Sequence, residues 1–133
     1  MDVHMLHKRP HDERRKSRRF RLKKGTFAAL KDPDARAGPV GEMVNLGRDG
    51  AAFFYFSSAG FGMRRDCQTR LTVVTADRDF HLSDIPVTVV FDSVMPNEFP
   101  VSRSRHCGVK FEKLTRAQKL KLRRLFRDYV AEC

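Results

Sequence analysis

The 133-residue sequence contains no tryptophan, only three cysteines and no long apolar run. Cys67, Cys107 and Cys133 are far apart and form no C-x-x-C pair, so neither a disulfide framework nor a metal site is indicated. Nowhere do about 18 apolar residues follow one another, and the N-terminus shows no signal-peptide pattern, so we expect neither a membrane span nor export. A reducing cytoplasm is the expected location.

Motifs that would indicate catalysis are also missing. The sequence has no G-x-S-x-G, no H-E-x-x-H and no P-loop lysine, and it offers no nucleophile, base and orienting group at a recognisable spacing. We therefore expect a protein that is not an enzyme, with no catalytic residue, no metal and no cofactor.

Acidic residues are scarce relative to basic ones. The sequence holds 27 Lys or Arg against 16 Asp or Glu, a net charge of +11. The excess lies mainly in residues 1–25 and in residues 113–127, and the second of these ranges contains no acid. Net charge acts on association rather than on the fold, so an anionic partner is indicated, although a solvated helix face also explains the second cluster.

Length, an apolar content of 41% and eleven phenylalanines predict one compact domain. From Thr26 onward apolar residues alternate with a period of two between turn residues, which is typical of short antiparallel strands. Six strands are predicted, at 26–31, 40–46, 51–56, 69–76, 85–92 and 106–112. Because no helix intervenes, we predict an all-β, six-stranded antiparallel barrel whose closure removes exposed strand edges.

The last two predicted strands show which residues should face the interior. The period of two predicts that Val87, Val89, Phe91, Val109 and Phe111 face inward, and that Thr88, Asp92 and Lys110 face outward.

The C-terminus changes to a helical period. Thr115 and Gln118 form a capping-box pattern, and apolar residues recur at helical spacing from Leu122 to Val130. We predict a helix over 115–131 that packs on the barrel. Residues 1–12 lack periodicity and are predicted to form a flexible arm, which leaves 13–133 as the domain.

Two short segments stand out as candidate binding elements. In the first, Arg15 and Arg19 lie four residues apart, and Arg14 and Arg18 repeat that spacing. Residues at i and i+4 point to one side of a helix or a strand, so two guanidinium groups can converge on one ligand. Their planar forks suit phosphate or the edge of guanine. A generic basic tail is the alternative interpretation.

The second segment runs from Val44 to Gly50 and joins the second and third predicted strands. Gly47 and Gly50 permit a tight turn whose amides can approach a ligand. Asn45 would stand on the face opposite Val44 and Leu46, at the rim of the sheet. An ordinary hairpin is the alternative interpretation.

In this order the two segments resemble the PilZ family, whose signature is R-x-x-x-R before the first strand and [D/N]-x-S-x-x-G between the second and third. The resemblance continues through Cys107-Gly108-Val109-Lys110-Phe111 to the closing helix. It implies a barrel that binds cyclic di-GMP, a bacterial second messenger with two phosphates and two guanines. By the family's pattern Arg15 and Arg19 would hold phosphate and guanine, and Arg14 would add a phosphate contact. Asn45 and the amides from Gly47 to Gly50 would take the base and the ligand backbone.

The family's serine is Gly47 in this sequence. The missing hydrogen bond is worth about 0.5 to 1.5 kcal/mol, which predicts weakened rather than abolished binding. We expect a cyclic di-GMP receptor that orders its basic N-terminal segment on binding and signals to an unidentified protein partner. A PilZ-like adaptor that has lost ligand binding and acts through protein contacts is the alternative. Nonspecific nucleic-acid binding is a third interpretation, which no DNA-reading or RNA-reading motif supports.

Overall fold

The computed structural model describes residues 18–32, 38–57, 62–95 and 103–130. These ranges contain seven strands followed by a helix: β1 (Arg19–Arg21), β2 (Thr26–Leu30), β3 (Val40–Gly47), β4 (Gly50–Ser57), β5 (Gln68–Thr75), β6 (His81–Val94), β7 (Arg103–Phe111) and α1 (Arg116–Tyr129). The predicted arm at 1–12 lies outside the described residues.

Strands β2 to β7 form a closed antiparallel barrel. Their order around the barrel is β3, β2, β5, β6, β7 and β4, and pairing between β3 and β4 completes the ring. Alternate side chains fill the interior, and the largest fully buried ones include Phe53, Phe80, Met43, Leu46, Leu71 and Ile85. The predicted six-stranded barrel is therefore confirmed.

A bulge in β6 changes which residues face inward. Val87 and Val89 are buried as predicted, but the pairing with β7 shifts register between Val89 and Phe91. Phe91 consequently lies outside the barrel and its ring covers Gly108. A Cβ on Gly108 would come within 2.2 Å of that ring. Asp92 turns inward, with its side chain 1% exposed. The predicted faces of Phe91 and Asp92 are wrong because one extra residue reverses the alternation.

Asp92 and Arg105 form a buried ion pair beside the β6 bulge. Its carboxylate accepts hydrogen bonds from Tyr55 Oη at 2.5 Å and from Arg105 Nε at 2.6 Å. The backbone nitrogen of Met63 also donates to it, at 2.8 Å. Burial and the contact with Asp92 raise the pKa of Tyr55, so the hydroxyl keeps its proton. The cluster joins three strands and the segment that leads into β5.

Helix α1 begins as the capping box predicts. The Thr115 hydroxyl accepts from the Gln118 backbone at 3.1 Å, and the Gln118 side chain accepts from the Thr115 backbone at 3.0 Å. Leu122 and Leu125 are buried against the barrel. The helix ends at Tyr129, before the predicted 131, because Val130 adopts extended backbone and forms a β-bridge with Leu22.

No helix among the described residues is long and apolar enough to span a bilayer.

Candidate functional site

A short strand that the sequence analysis did not predict brings the arginine segment to the barrel. Strand β1 pairs antiparallel with the second half of β3, so that Arg19 lies opposite Gly47 and Arg21 opposite Asn45. Strand β2 pairs with the first half of the same edge. The alternation of Arg19, Phe20, Arg21 and Leu22 is the sequence signal that could have indicated it.

Arg19 and Asn45, which lie 26 residues apart, are in direct contact. Arg19 Nη1 donates to Asn45 Oδ1 at 3.0 Å. Asn45 follows a register shift in β3 that falls between Met43 and Asn45, and both partners are half-buried. Since a carboxamide is neutral, this contact orients the guanidinium without cancelling its charge.

Two glycines provide the space in which Arg19 lies. A Cβ on Gly47 would stand 2.7 Å from the carbonyl oxygen of Arg18 and 2.8 Å from Arg19 Cδ. A Cβ on Gly50 would stand 3.0 Å from Arg19 Nη2 and 2.1 Å from the carbonyl oxygen of Val109. Space rather than backbone conformation is the requirement, because Gly25 is the only described glycine with positive φ. The Arg19 side chain therefore lies along the β3–β4 turn.

Strand β1 also contacts the end of α1. The rings of Phe20 and Phe126 meet edge to face with centroids 5.1 Å apart. The Lys23 backbone nitrogen donates to the Tyr129 carbonyl oxygen at 2.8 Å. The segment that carries Arg19 is thus held between the edge of β3 and the helix, an arrangement that the sequence analysis missed.

Arginines predominate on the surface around this turn, which also carries the exposed Asp49. Arg18, Arg21 and Arg48 are exposed around the half-buried Arg19, and the Arg18 guanidinium lies 5.1 Å from the centre of the Phe20 ring. Guanidinium groups stay charged at physiological pH and pair with phosphates or with the O6 and N7 edge of guanine. The arrangement therefore suits a small anion that carries such groups.

Four of the six predicted ligand-binding residues come together here: Arg19, Asn45, Gly47 and Gly50. Arg14 and Arg15 lie outside the described residues. No group of three or more His, Cys, Asp or Glu among the described residues could hold a metal ion.

Several solved structures share this fold. The chain is similar to the PilZ domain with c-di-GMP of YcgR from Escherichia coli, with a TM-score of 0.67, 11% identity, and 86% of this chain and 90% of that chain covered. For the longer YcgR in complex with c-di-GMP, the TM-score is 0.63 at 11% identity, over 86% of this chain and 45% of that one. For the MrkH–c-di-GMP complex of K. pneumonia, the TM-score is 0.64 at 12% identity, over 86% of this chain and 52% of that one.

This chain spans about half the length of those two longer proteins. No protein-family model matches the sequence, and no curated protein matches it either. The likeness nevertheless covers most of the chain, so its fold is that of a PilZ domain. The fold expected from the two sequence segments is confirmed.

Proposed function

We propose that this chain is a non-enzymatic receptor for cyclic di-GMP that acts in the bacterial cytoplasm. The observation that carries the proposal is the placement of Arg19 along the Gly47–Gly50 turn. Asn45 orients its guanidinium, because Arg19 Nη1 donates to Asn45 Oδ1 at 3.0 Å. The PilZ fold supports it, since the similar YcgR and MrkH structures contain c-di-GMP. Both the phosphates and the guanines of this ligand match the fork of an arginine.

Each site residue has a separate role in the proposal. Arg19 contacts a phosphate or a guanine edge, Asn45 fixes its guanidinium and contacts a base, and the turn amides approach the ligand backbone. Arg14 and Arg15 supply further cations from the segment ahead of β1. The ligand neutralises this basic segment and orders it against β1, and the ordered segment then presents a new surface to a protein partner.

Gly47 also motivates a second candidate function, an adaptor that no longer binds the ligand. The hydroxyl of the family's serine is absent, which removes one contact. In its place the Arg19 side chain lies close over Gly47, with 2.8 Å between Arg19 Cδ and the position of a Cβ. We infer that the glycine accommodates the arginine, so the site keeps its main cationic contact.

Calorimetric titration with cyclic di-GMP tests the proposal, with a linear dinucleotide and duplex DNA as comparison ligands. Arg19→Ala should lower the affinity for cyclic di-GMP at least tenfold, because a charge-assisted contact is worth about 1.5 to 3 kcal/mol. Arg70→Ala is the matched control, since Arg70 is exposed on β5, which does not pair with β1 or β3.

The other outcomes favour the alternatives. A folded wild-type protein that shows no binding to cyclic di-GMP would favour the adaptor. Equal losses from Arg19→Ala and Arg70→Ala, together with effective competition by duplex DNA, would favour nonspecific nucleic-acid binding.

A further inference from the structure

The outer face of α1 carries three exposed cations and an exposed leucine. Arg116, Lys119, Leu120 and Arg123, which we call the outer stripe, are spaced at i, i+3, i+4 and i+7 and so lie on one side of the helix. Leu120 is 53% exposed, and the three cations are exposed as well. None of them makes a side-chain hydrogen bond or ion pair with a described residue.

The other cations of the helix do have partners. Lys121 Nζ donates to the His81 carbonyl oxygen at 3.3 Å, and Arg124 Nη2 donates to the Asp79 carbonyl oxygen at 3.4 Å. Arg127 lies beside Asp128, at 3.0 Å. The first two contacts hold the helix on the β5–β6 hairpin, and the third lies within the helix. The cations of the outer stripe surround Leu120, so a partner that covers the stripe would meet both charge and an apolar side chain.

We propose that the outer stripe binds an acidic protein surface that offers an apolar pocket to Leu120. The three cations lie on one face, which gives a single-sign field that steers and orients an acidic partner. Leu120 gains where an apolar pocket removes it from water. The outer stripe would add a second partner surface to the receptor proposed above, and its signalling role rests on that proposed function.

Two other anionic surfaces fit less well. A nucleic-acid backbone would pair with the cations but would leave Leu120 in water, since specific duplex contacts are made mainly by polar groups. A bilayer requires a helix with a broad apolar face, and α1 packs its apolar residues Leu122 and Leu125 on the barrel. A single leucine buries too little apolar area to hold a helix on a bilayer, but it can fill a pocket on a protein surface.

The outer stripe lies on the same helix that contacts the candidate ligand site. Phe126 packs against Phe20, at 5.1 Å between ring centroids, and Val130 forms a β-bridge with Leu22. Strand β1 carries Arg19, so any change in the position of β1 on ligand binding acts on the end of α1. This continuity allows α1 to present a second surface to the partner, beside the segment ahead of β1.

Binding of two labelled acidic peptides to the full chain tests the inference. The first is an amphipathic helical peptide with leucines along one face flanked by glutamates, and the second replaces those leucines with serine. The wild-type protein should bind the leucine peptide at least about fivefold more tightly, because only that peptide removes Leu120 from water. Leu120→Ser should abolish the difference between the peptides, and Arg123→Glu should weaken both by at least about tenfold.

The matched controls change similar groups elsewhere on the surface. Val40→Ser removes an apolar side chain that is 65% exposed, and Arg70→Glu reverses an exposed charge. Both variants should bind the peptides like the wild-type protein. The inference is overturned if the wild-type protein binds both peptides equally, or if the controls lose as much affinity as the outer-stripe variants. Tighter binding of duplex DNA or of anionic phospholipid vesicles than of the leucine peptide would also overturn it.

Cyclic di-GMP titrations separate this inference from the proposed function. Leu120→Ser and Arg123→Glu should bind cyclic di-GMP like the wild-type protein, since neither residue contacts the Arg19 site. If the wild-type protein binds the leucine peptide but not cyclic di-GMP, the proposed function fails and the docking surface stands. If it binds cyclic di-GMP but does not distinguish the peptides, the docking inference alone fails.

Discussion

Arg19 and Arg105 lie near opposite ends of β4, and their surroundings differ in nearly every respect. Arg105 belongs to a nine-residue strand, is 12% exposed and binds Asp92, whose side chain is 1% exposed. Arg19 belongs to a three-residue strand, is half-buried and donates to the neutral side chain of Asn45. Exposed arginines surround Arg19, whereas Tyr55 and the backbone of Met63 complete the shell around Asp92.

The comparison shows how one residue type serves two purposes. A guanidinium that is paired with a buried carboxylate is required for stability, because its loss leaves an uncompensated charge in the interior. A guanidinium on a short edge strand contributes little to stability and can instead bind a ligand. We therefore expect substitutions near Arg105 to change the free energy of unfolding, and substitutions near Arg19 to change ligand affinity.

The largest effect is expected at the buried pair. Arg105→Ala leaves Asp92 buried without its cation, and it should lower the free energy of unfolding by about 3 to 5 kcal/mol. Arg105→Lys keeps the charge and should lose less. Denaturant unfolding measures both, with the exposed Arg70→Ala expected to stay within about 0.5 kcal/mol of wild type. A loss below about 1 kcal/mol for Arg105→Ala would contradict the structural role of this arginine.

A substitution at Gly47 tests the close approach of β1 to β3. Gly47→Ser places a Cβ 2.7 Å from the Arg18 carbonyl oxygen, and overpacking of this kind lowers the free energy of unfolding by about 1 to 3 kcal/mol. Because the substitution displaces β1, the affinity for cyclic di-GMP should fall. Unfolding curves and titrations of the same variant give both values. Tighter binding would instead show that the missing hydroxyl limits affinity and that Arg19 does not need this space.

A substitution at Asn45 should reduce ligand affinity by less than one at Arg19. Asn45→Ala removes the acceptor that orients Arg19 but leaves the cation, so the affinity for cyclic di-GMP should fall by about 2-fold to 10-fold, equivalent to about 0.5 to 1.5 kcal/mol. Calorimetric titration measures this loss beside that of Arg19→Ala. If Asn45→Ala costs more affinity than Arg19→Ala, the assignment of Arg19 as the main contact is wrong.

The smallest expected effect concerns pH and stability. His106 lies between Phe54 and Phe91, with ring centroids 4.6 and 5.0 Å away, and burial lowers its pKa below the ordinary 6.5. The unfolded chain therefore takes up the proton at higher pH than the folded one, so stability falls as pH decreases through about 6.5. His106→Gln should reduce the loss of unfolding free energy between about pH 7 and pH 5.

Denaturant unfolding of the wild-type protein and of His106→Gln at both pH values measures this difference. An unchanged slope in His106→Gln would show that its burial has no consequence for stability. The substitution should not alter cyclic di-GMP affinity at neutral pH.

Local patterns in the sequence predict most of the fold. The capping box at Thr115 and the apolar spacing of α1 are determined within a few residues, and the six barrel strands follow from alternation alone. The faces of Phe91 and Asp92 were wrong because a bulge depends on how β6 pairs with β7, which no local pattern encodes. Strand β1 was missed because its three residues are stabilised by contacts distant in sequence, with the part of the β3 edge that β2 leaves open and with the end of α1.

The candidate site was predictable to a similar extent. Its residue types and spacing indicated Arg19, Asn45, Gly47 and Gly50, and the structure brings these four together. The contact between Phe20 and Phe126 was not predictable, because it joins positions that lie far apart in the chain and depends on how the helix crosses the barrel. The parts of the site assigned to Arg14 and Arg15 stay predictions.

Ligand-dependent unfolding of the wild-type protein and of Arg19→Ala tests the central claim most directly. A ligand that binds only the folded state raises the free energy of unfolding by about 2.7 kcal/mol at a concentration of about 100 times its Kd. Cyclic di-GMP at such a concentration should stabilise the wild-type protein and Arg70→Ala to this extent. Arg19→Ala should unfold near the wild-type midpoint without ligand and should gain at least about 1.3 kcal/mol less than wild type from the same cyclic di-GMP concentration. Equal stabilisation of Arg19→Ala and the wild-type protein, or none in either, would contradict the account.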